Sequence, residues 1–164
     1  MKVLQPDIYV SDVLGIDLDA FKRESIDTLL IDLDNTILSR DATEVTGEIR
    51  DWIRGLEQSG FITCIVSNNW HSSAIVHAEK LQMNIVAKAI KPLPFAFRQA
   101  LEKVGSKPSR SAVIGDQIFT DILGGNLLGM KTVLVKPLSA NDLPHTLLLR
   151  RLESLVLAGR ESLD

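Results

Sequence analysis

The chain has 164 residues, which is long enough to bury one full hydrophobic core and short for two domains. Its hydrophobic fraction of 45% and charged fraction of 24% are ordinary for a soluble globular protein, and it contains no internal repeat or low-complexity tract. The formal net charge of −3 gives no electrostatic case for binding nucleic acid, and the single cysteine, Cys64, excludes an internal disulfide framework.

The first predicted elements are a short helix and a buried strand. Residues 1–27 form a mixed leader in which Asp17 is placed to cap a helix that continues through Arg23. The β-branched and apolar run Thr28–Leu33 then predicts a strand buried inside a sheet.

Strands and helices alternate along the rest of the chain. Apolar residues recur at helical spacing from Val45 to Leu56, Gly60 ends that helix, and the apolar run Phe61–Val66 predicts a second buried strand. The later predicted elements are a helix over Ser72–Leu81, a strand over Asn84–Val86, a helix over Phe95–Val104, a strand over Ser111–Ile114, a helix from about Ile118 to Leu128 and a strand over Lys131–Val135. This alternation predicts an α/β fold with a parallel β-sheet flanked by helices.

The last predicted element, a helix over about 143–158, is leucine-rich on more than one face and has two interpretations. It packs over the sheet, with its excess leucines in a homodimer contact, or it is an amphipathic helix that lies on a membrane surface. Arg150, Arg151 and Arg160 favour the membrane surface, whereas nearby acidic residues dilute their charge. We favour the packed helix and leave the other interpretation open.

Four groups of polar residues stand at the ends of predicted strands. They are Asp32 with Asp34, then Ser67, then Lys91, and then Asp116 with Asp121. A parallel sheet brings all these strand ends to one edge, so the side chains can converge on one site. Carboxylates together with a hydroxyl and an ammonium group indicate a hard divalent cation such as Mg²⁺ and a phosphate group.

Each of these residues also has an ordinary structural interpretation. Asp34 belongs to a polar turn, Ser67 caps a helix, Lys91 is solvated, and Asp116 follows Gly115 in a turn. These interpretations require four coincidences at four strand ends, so we reject them jointly. For Asp121, a cap or solvent-facing residue remains an equal alternative.

The ordered set of motifs resembles the haloacid dehalogenase (HAD) superfamily of aspartyl phosphatases. Its first motif stands here as Asp32-Leu33-Asp34-Asn35-Thr36, and Ser67, Lys91 and Gly115-Asp116…Asp121 match the second, third and fourth motifs. The resemblance covers roughly 28–135 and implies a three-layer Rossmann-like (HAD-like) fold. It implies one hydrolase domain over 1–164. The core of that domain, about 28–135, lies between the leader 1–27 and the last helix, about 143–158.

The resemblance also implies a role for each matched residue. Asp32 is expected to be the nucleophile that becomes phosphorylated, and Asp34 the general acid/base whose backbone carbonyl binds Mg²⁺. The other implied roles are phosphate binding by Ser67, Asn68 and Lys91, metal binding by Asp32 and Asp116, and support by Asp121.

The motif spacing implies a member without a cap domain, because 36–45 and 67–91 are too short to hold one. The phrases Asp-Leu-Asp-Asn-Thr and Gly-Asp-Gln-Ile-Phe-Thr-Asp most resemble the phosphatidylglycerophosphatase-like subfamily, although Ile37 replaces its usual leucine. We therefore expect a Mg²⁺-dependent phosphatase acting on a phosphorylated small molecule or a phospholipid headgroup. The alternatives are a phosphatase of a soluble sugar phosphate or nucleotide, and a catalytically silent regulatory protein.

The sequence predicts a cytoplasmic protein, because it shows neither a basic-then-apolar leader nor an apolar stretch of spanning length. A phospholipid substrate would require contact with the membrane surface. Trp70 lies just beyond Ser67-Asn68-Asn69 and is a candidate interfacial anchor for such peripheral contact.

Overall fold

A parallel β-sheet of six strands forms the centre of the fold in this computed structural model, which describes residues 2–141, 149, 152–158 and 162–163. The strands are β1 (Ile8–Val10), β2 (Thr28–Ile31), β3 (Ile62–Val66), β4 (Asn84–Val86), β5 (Ser111–Gly115) and β6 (Lys131–Val135). Their order across the sheet is β1-β6-β5-β2-β3-β4.

Helices connect these strands. They are α1 (Leu18–Arg23), α2 (Gly47–Gln58), α3 (Ser73–Leu81), α4 (Pro94–Val104) and α5 (Leu123–Leu127), with a π-helical turn at Ile118–Ile122 and 3₁₀ turns at Lys2–Leu4, Val13–Gly15 and Pro108–Arg110. Among the described residues, no helix has both the length and the apolar character that a membrane span requires.

Side chains that alternate along β2 divide the core between the two faces of the sheet. Leu29 and Ile31 pack in the same cluster as the apolar face of α2, which contains Ile53. Leu30 points to the opposite face, where it packs in a cluster with Phe97 of α4. This alternation is the two-residue period of a strand, and it gives the predicted three-layer arrangement of helices around a parallel sheet.

The strand order places β2 at the point where the chain changes direction across the sheet. From β2 the chain adds β3 and β4 on one side, and it then returns to add β5 and β6 on the other. In open α/β sheets, ligands bind beyond the carboxyl ends of the strands at such a switch point. The residues that follow β2 and β5 therefore lie where a ligand site is expected.

The first strand was missed by the sequence analysis, which treated 1–27 as a mixed leader containing one helix. β1 pairs with β6 at the sheet edge, with Ile8 opposite Val133. Its three residues give too short an apolar run to be recognised as a strand. The contact is reinforced by Asp7, whose carboxylate accepts a hydrogen bond from the Thr132 backbone N–H at 2.8 Å.

The other predicted elements are present with shifts of a few residues at their ends. Asp17 caps α1 as predicted, since its carboxylate accepts a hydrogen bond from the Ala20 backbone N–H at 2.9 Å. The single helix predicted over 118–128 is instead a π-helical turn followed by α5. Cys64 is buried as predicted, and its burial raises the thiol pKa to about 11.

Half of the predicted helix over 143–158 lies outside the described residues. Residues 152–156 are helical, whereas Arg150, Arg151 and Arg160 are not described. The described part packs against the fold, as the favoured interpretation expects: the Glu153 carboxylate accepts a hydrogen bond from the Ile118 backbone N–H at 2.7 Å, and Val156 packs in the cluster that contains Leu134 of β6. The homodimer contact and the amphipathic membrane helix stay predictions.

Candidate active site

Three carboxylates meet at the carboxyl edge of the sheet. β2 and β5 pair with Ile31 opposite Ile114, which brings Asp32 beside the end of β5. Asp116 follows β5 directly, and Asp121 reaches the same place from the π-helical turn. One oxygen from each carboxylate lies within 4.8 Å of the others, and all three residues are buried.

Lys91 is buried among these carboxylates. Its Nζ lies 2.5 Å from Asp32 Oδ1 and 2.6 Å from Asp121 Oδ1. Burial alone would lower the pKa of Lys91, but the charges of Asp121 and Asp32 outweigh that effect and raise it above its ordinary value. Lys91 is therefore a permanent positive charge beside Asp32.

The loop after β3 holds Lys91 and Asp34 through two asparagine side chains. The Asn68 amide accepts a hydrogen bond from the Lys91 backbone N–H at 2.7 Å and donates one to the Lys91 carbonyl at 3.3 Å. Asn69 donates to Asp34 Oδ2 at 3.3 Å, and its backbone N–H donates to Ser67 Oγ at 3.0 Å. Ser67 itself is fully buried below this loop.

A tight turn after β2 positions the first motif. Asn35 has a φ of 62°, a left-handed conformation that asparagine tolerates better than most residues. The following residue, Thr36, is buried with its Oγ1 3.2 Å from Asp32 Oδ2 and 3.3 Å from Asp116 Oδ1. Its hydroxyl therefore links the carboxylates that follow β2 and β5.

Gly115 is required by the close approach of Asp121. A Cβ atom at position 115 would lie 2.2 Å from the Asp121 carboxyl carbon, a distance that no packing accommodates. The Asp121 carboxylate also accepts a hydrogen bond from the Gln117 backbone N–H at 3.3 Å. The Gly115-Asp116 pair thus leaves room for a third carboxylate beside the strand end.

Asp32, Asp34 and Lys91 line an open cavity of about 540 Å³. Its wall includes Arg40, Asn69, Trp70, His71 and Thr120. The chain between Thr36 and α2 and the chain between β3 and β4 contain no inserted domain that would cover the opening. Among the described residues the site therefore has no cap domain, as expected from the motif spacing, and Leu149 of the last segment joins its wall.

A protein from Bacillus subtilis, described as the probable phosphatase YqeG, is 32% identical to this chain over 158 residues, and the match covers 96% of this chain and 92% of that protein. The chain belongs to the haloacid dehalogenase (HAD) superfamily. It is a HAD-family phosphatase, a hydrolase that acts on phosphate esters.

Two other sequence comparisons agree with membership in the HAD superfamily. Residues 89–137 match the model of a HAD-hydrolase-like family. Phosphatidylglycerophosphate phosphatase 1 of Arabidopsis thaliana is 28% identical over 158 residues, which cover 90% of this chain and 45% of that protein.

The fold of this HAD phosphatase also matches solved structures. The putative HAD-hydrolase YfnB from Bacillus subtilis superposes with a TM-score of 0.58 at 16% identity, covering 73% of this chain and 91% of that one. At this identity the likeness concerns the fold alone.

The carboxylate cluster of this HAD phosphatase fits a hard divalent cation. Asp32, Asp116 and Asp121 each offer a carboxylate oxygen within 4.8 Å of the others, and Lys91 supplies one positive charge against their three negative charges. A divalent cation among them would balance the remaining charge, which is otherwise costly to bury. Oxygen-only ligands of this kind suit Mg²⁺, Ca²⁺ or Mn²⁺ rather than softer metals.

Asp34 differs from the buried carboxylates in its environment. Burial first, and then the charge of Asp32, raise the pKa of Asp34 above its ordinary value, while Arg40, Asn69 and Lys91 oppose the shift. A raised pKa favours the protonated carboxyl, which is the form that can give a proton to a leaving group. Burial also raises the pKa of Asp121, although the charge of Lys91 works against it.

The structure brings together the side chains that the sequence analysis selected, with differences in what each one contacts. Asp32, Lys91, Asp116 and Asp121 form one buried cluster. Because Asp121 is buried and paired with Lys91, the interpretation of it as a solvent-facing residue is wrong. The functional roles assigned to these residues stay predictions.

Asn68 and Ser67 differ most from expectation. Both ends of the Asn68 amide are hydrogen-bonded to the backbone of Lys91, so the side chain positions that lysine. Ser67 accepts from the Asn69 backbone, and α3 begins only at Ser73, so Ser67 does not cap that helix. The phosphate-binding roles of both residues are untested.

Sequence reasoning gave no role to Thr36, Asn69 and Arg40, nor to the wall residues His71 and Thr120. Thr36 and Asn69 stand inside the quoted motifs, so their position was a signal that went unused. Arg40 stands in a short polar loop with no pattern, and its place on the cavity wall follows only from the folded backbone.

Proposed function

We propose that this HAD phosphatase hydrolyses a phosphomonoester in a Mg²⁺-dependent reaction that passes through phosphorylated Asp32. The observation that carries the proposal is the position of Asp32. Its carboxylate lies between the Lys91 ammonium, the Thr36 hydroxyl and the other carboxylates, at the switch point of the sheet and at the base of an open cavity.

In the first proposed step, a carboxylate oxygen of Asp32 attacks phosphorus. The bond between phosphorus and the ester oxygen breaks, its electron pair goes to the leaving oxygen, and Asp34 gives that oxygen a proton. In the second step, Asp34 takes a proton from water as the water oxygen attacks phosphorus. The bond between phosphorus and Asp32 breaks, which releases inorganic phosphate and restores both carboxyl groups.

Two anions approach each other in the first step, so their repulsion has to be offset. Lys91 is fixed beside Asp32 and remains charged, which meets part of this need. A Mg²⁺ held at this cluster would supply the remaining positive charge beside the phosphoryl group. Asp32, Asp116 and the backbone carbonyl of Asp34 are the proposed ligands, with Asp121 in support.

Ser67 and Asn68 are proposed to complete the phosphate site. Ser67 Oγ accepts a hydrogen bond from Asn69, and a hydroxyl in that state still has its own proton to donate to a phosphoryl oxygen. Asn68 contributes by holding the backbone of Lys91, from which the lysine side chain reaches Asp32.

Phosphatidylglycerophosphate is the substrate we propose within this class. The Arabidopsis relative is named for that activity, and the open cavity admits a phosphate group presented by a large molecule. Family membership alone does not determine a substrate, so this assignment depends on direct assay.

The test is phosphate release from phosphatidylglycerophosphate in detergent micelles, beside p-nitrophenyl phosphate, soluble sugar phosphates and nucleotides. The proposal predicts Mg²⁺-dependent turnover of p-nitrophenyl phosphate and the highest kcat/KM on the lipid. A higher kcat/KM on a sugar phosphate or nucleotide would contradict the lipid assignment and leave the phosphatase chemistry in place. Absence of turnover on every phosphomonoester would contradict both.

A further inference from the structure

Two neighbouring loops at the mouth of the cavity expose large apolar side chains. They are Trp70 in the loop after β3 and Ile90, Leu93 and Phe95 around the start of α4, which we call the apolar rim. Their exposed fractions range from 54% to 72%. Trp70 is part of the cavity wall, and Ile90 precedes Lys91 directly. Through Trp70 the rim reaches the wall of the cavity that a substrate has to use.

The loop between β4 and α4, which carries Ile90, contains two residues in a strained backbone conformation. Ile90 has a φ of 55° and Lys88 a φ of 54°, in the left-handed region that side chains rarely adopt. For a β-branched residue such as Ile90 this conformation is a genuine outlier. More than half of the Ile90 side chain is exposed, so internal packing does not compensate for the strain.

The exposed charged side chains of the two segments that carry the rim are basic. Residues 67–78 and 85–101 contain none of the 21 acidic residues of the chain, and their exposed cations are Lys88 and Arg98, because Lys91 is buried and paired with carboxylates. The Lys88 ammonium lies 5.4 Å from the centre of the Trp70 ring, so a cation and an aromatic ring are held together at the rim. Such a surface is complementary to an anionic partner.

We propose that the apolar rim binds the surface of an anionic phospholipid bilayer. Tryptophan and phenylalanine favour the boundary between headgroups and acyl chains, and basic side chains beside them are attracted to lipid phosphates. Docked in this way, the cavity mouth faces the headgroups, where a lipid-borne phosphomonoester is found. The inference extends the proposed function, and it rests on the proposal that the substrate is a phospholipid.

A bilayer is favoured over a protein partner by the combination of features at the rim. Trp70 belongs both to the rim and to the cavity wall, so a folded protein bound over the rim would obstruct the cavity. A fluid headgroup layer accepts separate apolar side chains without a matching surface, and it presents phosphate groups to the cavity.

Vesicle flotation with the full chain tests the inference without requiring catalysis. We expect the protein to float with vesicles of phosphatidylcholine and phosphatidylglycerol at low salt, less at high salt, and little with phosphatidylcholine alone. The double variant Leu93→Ser with Phe95→Ser should partition roughly tenfold to a hundredfold more weakly, because two apolar side chains are lost from the membrane contact. Val3→Ser with Leu127→Ser removes exposed apolar side chains outside the rim and should float like the original protein.

Tryptophan fluorescence tests whether Trp70 itself contacts the lipid. The chain has two tryptophans, so Trp52→Phe leaves Trp70 as the reporter. Its emission should shift to shorter wavelength on addition of the anionic vesicles and be quenched by brominated acyl chains. An unshifted emission in the presence of floating protein would place the contact elsewhere and overturn the inference.

The remaining outcomes distinguish a failure of the membrane contact from a failure of the phosphatase chemistry. Turnover of p-nitrophenyl phosphate should be unchanged in both double variants, which shows that they are folded. Original protein that stays at the bottom of the gradient with anionic vesicles overturns the inference, as does a rim variant that floats normally. A concentration-dependent dimer that the rim variant loses, without flotation, would assign the rim to a second copy of the chain. Flotation without phosphatase activity would contradict the proposed function alone.

Discussion

Single residues of the first motif differ sharply in their surroundings. Asp32 is held by the Lys91 ammonium and the Thr36 hydroxyl, whereas Asp34 is more exposed and contacts Asn69. The fixed cation beside Asp32 suits a carboxylate that attacks an anion. The raised pKa of Asp34 suits a group that alternates between acid and base. The two carboxylates are two residues apart and have environments matched to different tasks.

Replacing Asp32 by asparagine should abolish turnover and preserve the fold. The amide is nearly isosteric with the carboxylate but lacks its charge, so we expect kcat on p-nitrophenyl phosphate to fall by roughly a thousandfold or more. Asp51→Asn is the matched control, because Asp51 is exposed on α2 and pairs with Arg54. Steady-state kinetics and circular dichroism measure the two effects. Substantial turnover by folded Asp32→Asn protein would show that Asp32 is not the nucleophile.

At the scale of elements, strong hydrophobic patterns were predictable from sequence and short or irregular elements were not. The four-residue strand β2 and the helix α4 follow from continuous or periodic apolar runs. β1 is three residues long and depends on its pairing with β6, which no local pattern records. The π-helical turn before α5 contains Asp121, which lies against Gly115 at the end of β5, and the helical pattern of apolar residues did not distinguish this turn from an α-helix.

The packing of α5 on the sheet gives an element-scale prediction. A Cβ atom at Gly125 would lie 2.7 Å from Thr132 Cγ2, so Gly125→Ala should destabilise the protein by about 1–3 kcal/mol through overpacking. Gly55 in α2 has no neighbouring atom within 4 Å of that position. Gly55→Ala should therefore stabilise by about 0.5–1 kcal/mol, because alanine is the better helix former.

Urea unfolding of both variants, followed by tryptophan fluorescence, measures these two free energies. Opposite signs are expected from the same chemical change. Similar effects at both positions would show that α5 does not pack against β6 as closely as described.

Across the whole molecule, the site could be predicted because its residues occur in a fixed order at strand ends. A parallel sheet converts that order into one cluster, so Asp32 and Asp116 meet although they are far apart in the chain. The apolar rim was only partly predictable: Trp70 was selected from sequence, whereas the exposure of Phe95 depends on how α4 is oriented. The single domain over 1–164 stays a prediction.

Metal dependence is a prediction for the whole site. Mg²⁺ prefers near-octahedral geometry at short distances, whereas Ca²⁺ is larger and accepts more ligands, including both oxygens of one carboxylate. Ca²⁺ would therefore engage the oxygen of Asp32 that has to attack. We expect chelation to abolish turnover, Mg²⁺ to restore it, and Ca²⁺ to inhibit competitively with Mg²⁺. Equal rates with the two ions in a titration would contradict this arrangement of ligands.

The most direct test of the proposed chemistry is a trap of phosphorylated Asp32. In Asp34→Asn protein, p-nitrophenyl phosphate should still react with Asp32, because p-nitrophenolate leaves without needing a proton. The second step should be slow, because no carboxylate remains at position 34 to deprotonate water. Acid quenching followed by peptic digestion and mass spectrometry then reports the labelled peptide.

The expected result is a stoichiometric burst of p-nitrophenol with one phosphoryl group on the peptide that contains Asp32, removable by hydroxylamine as an acyl phosphate is. The contradicting result is p-nitrophenol release with an unmodified Asp32 peptide, or with the phosphoryl group on another residue.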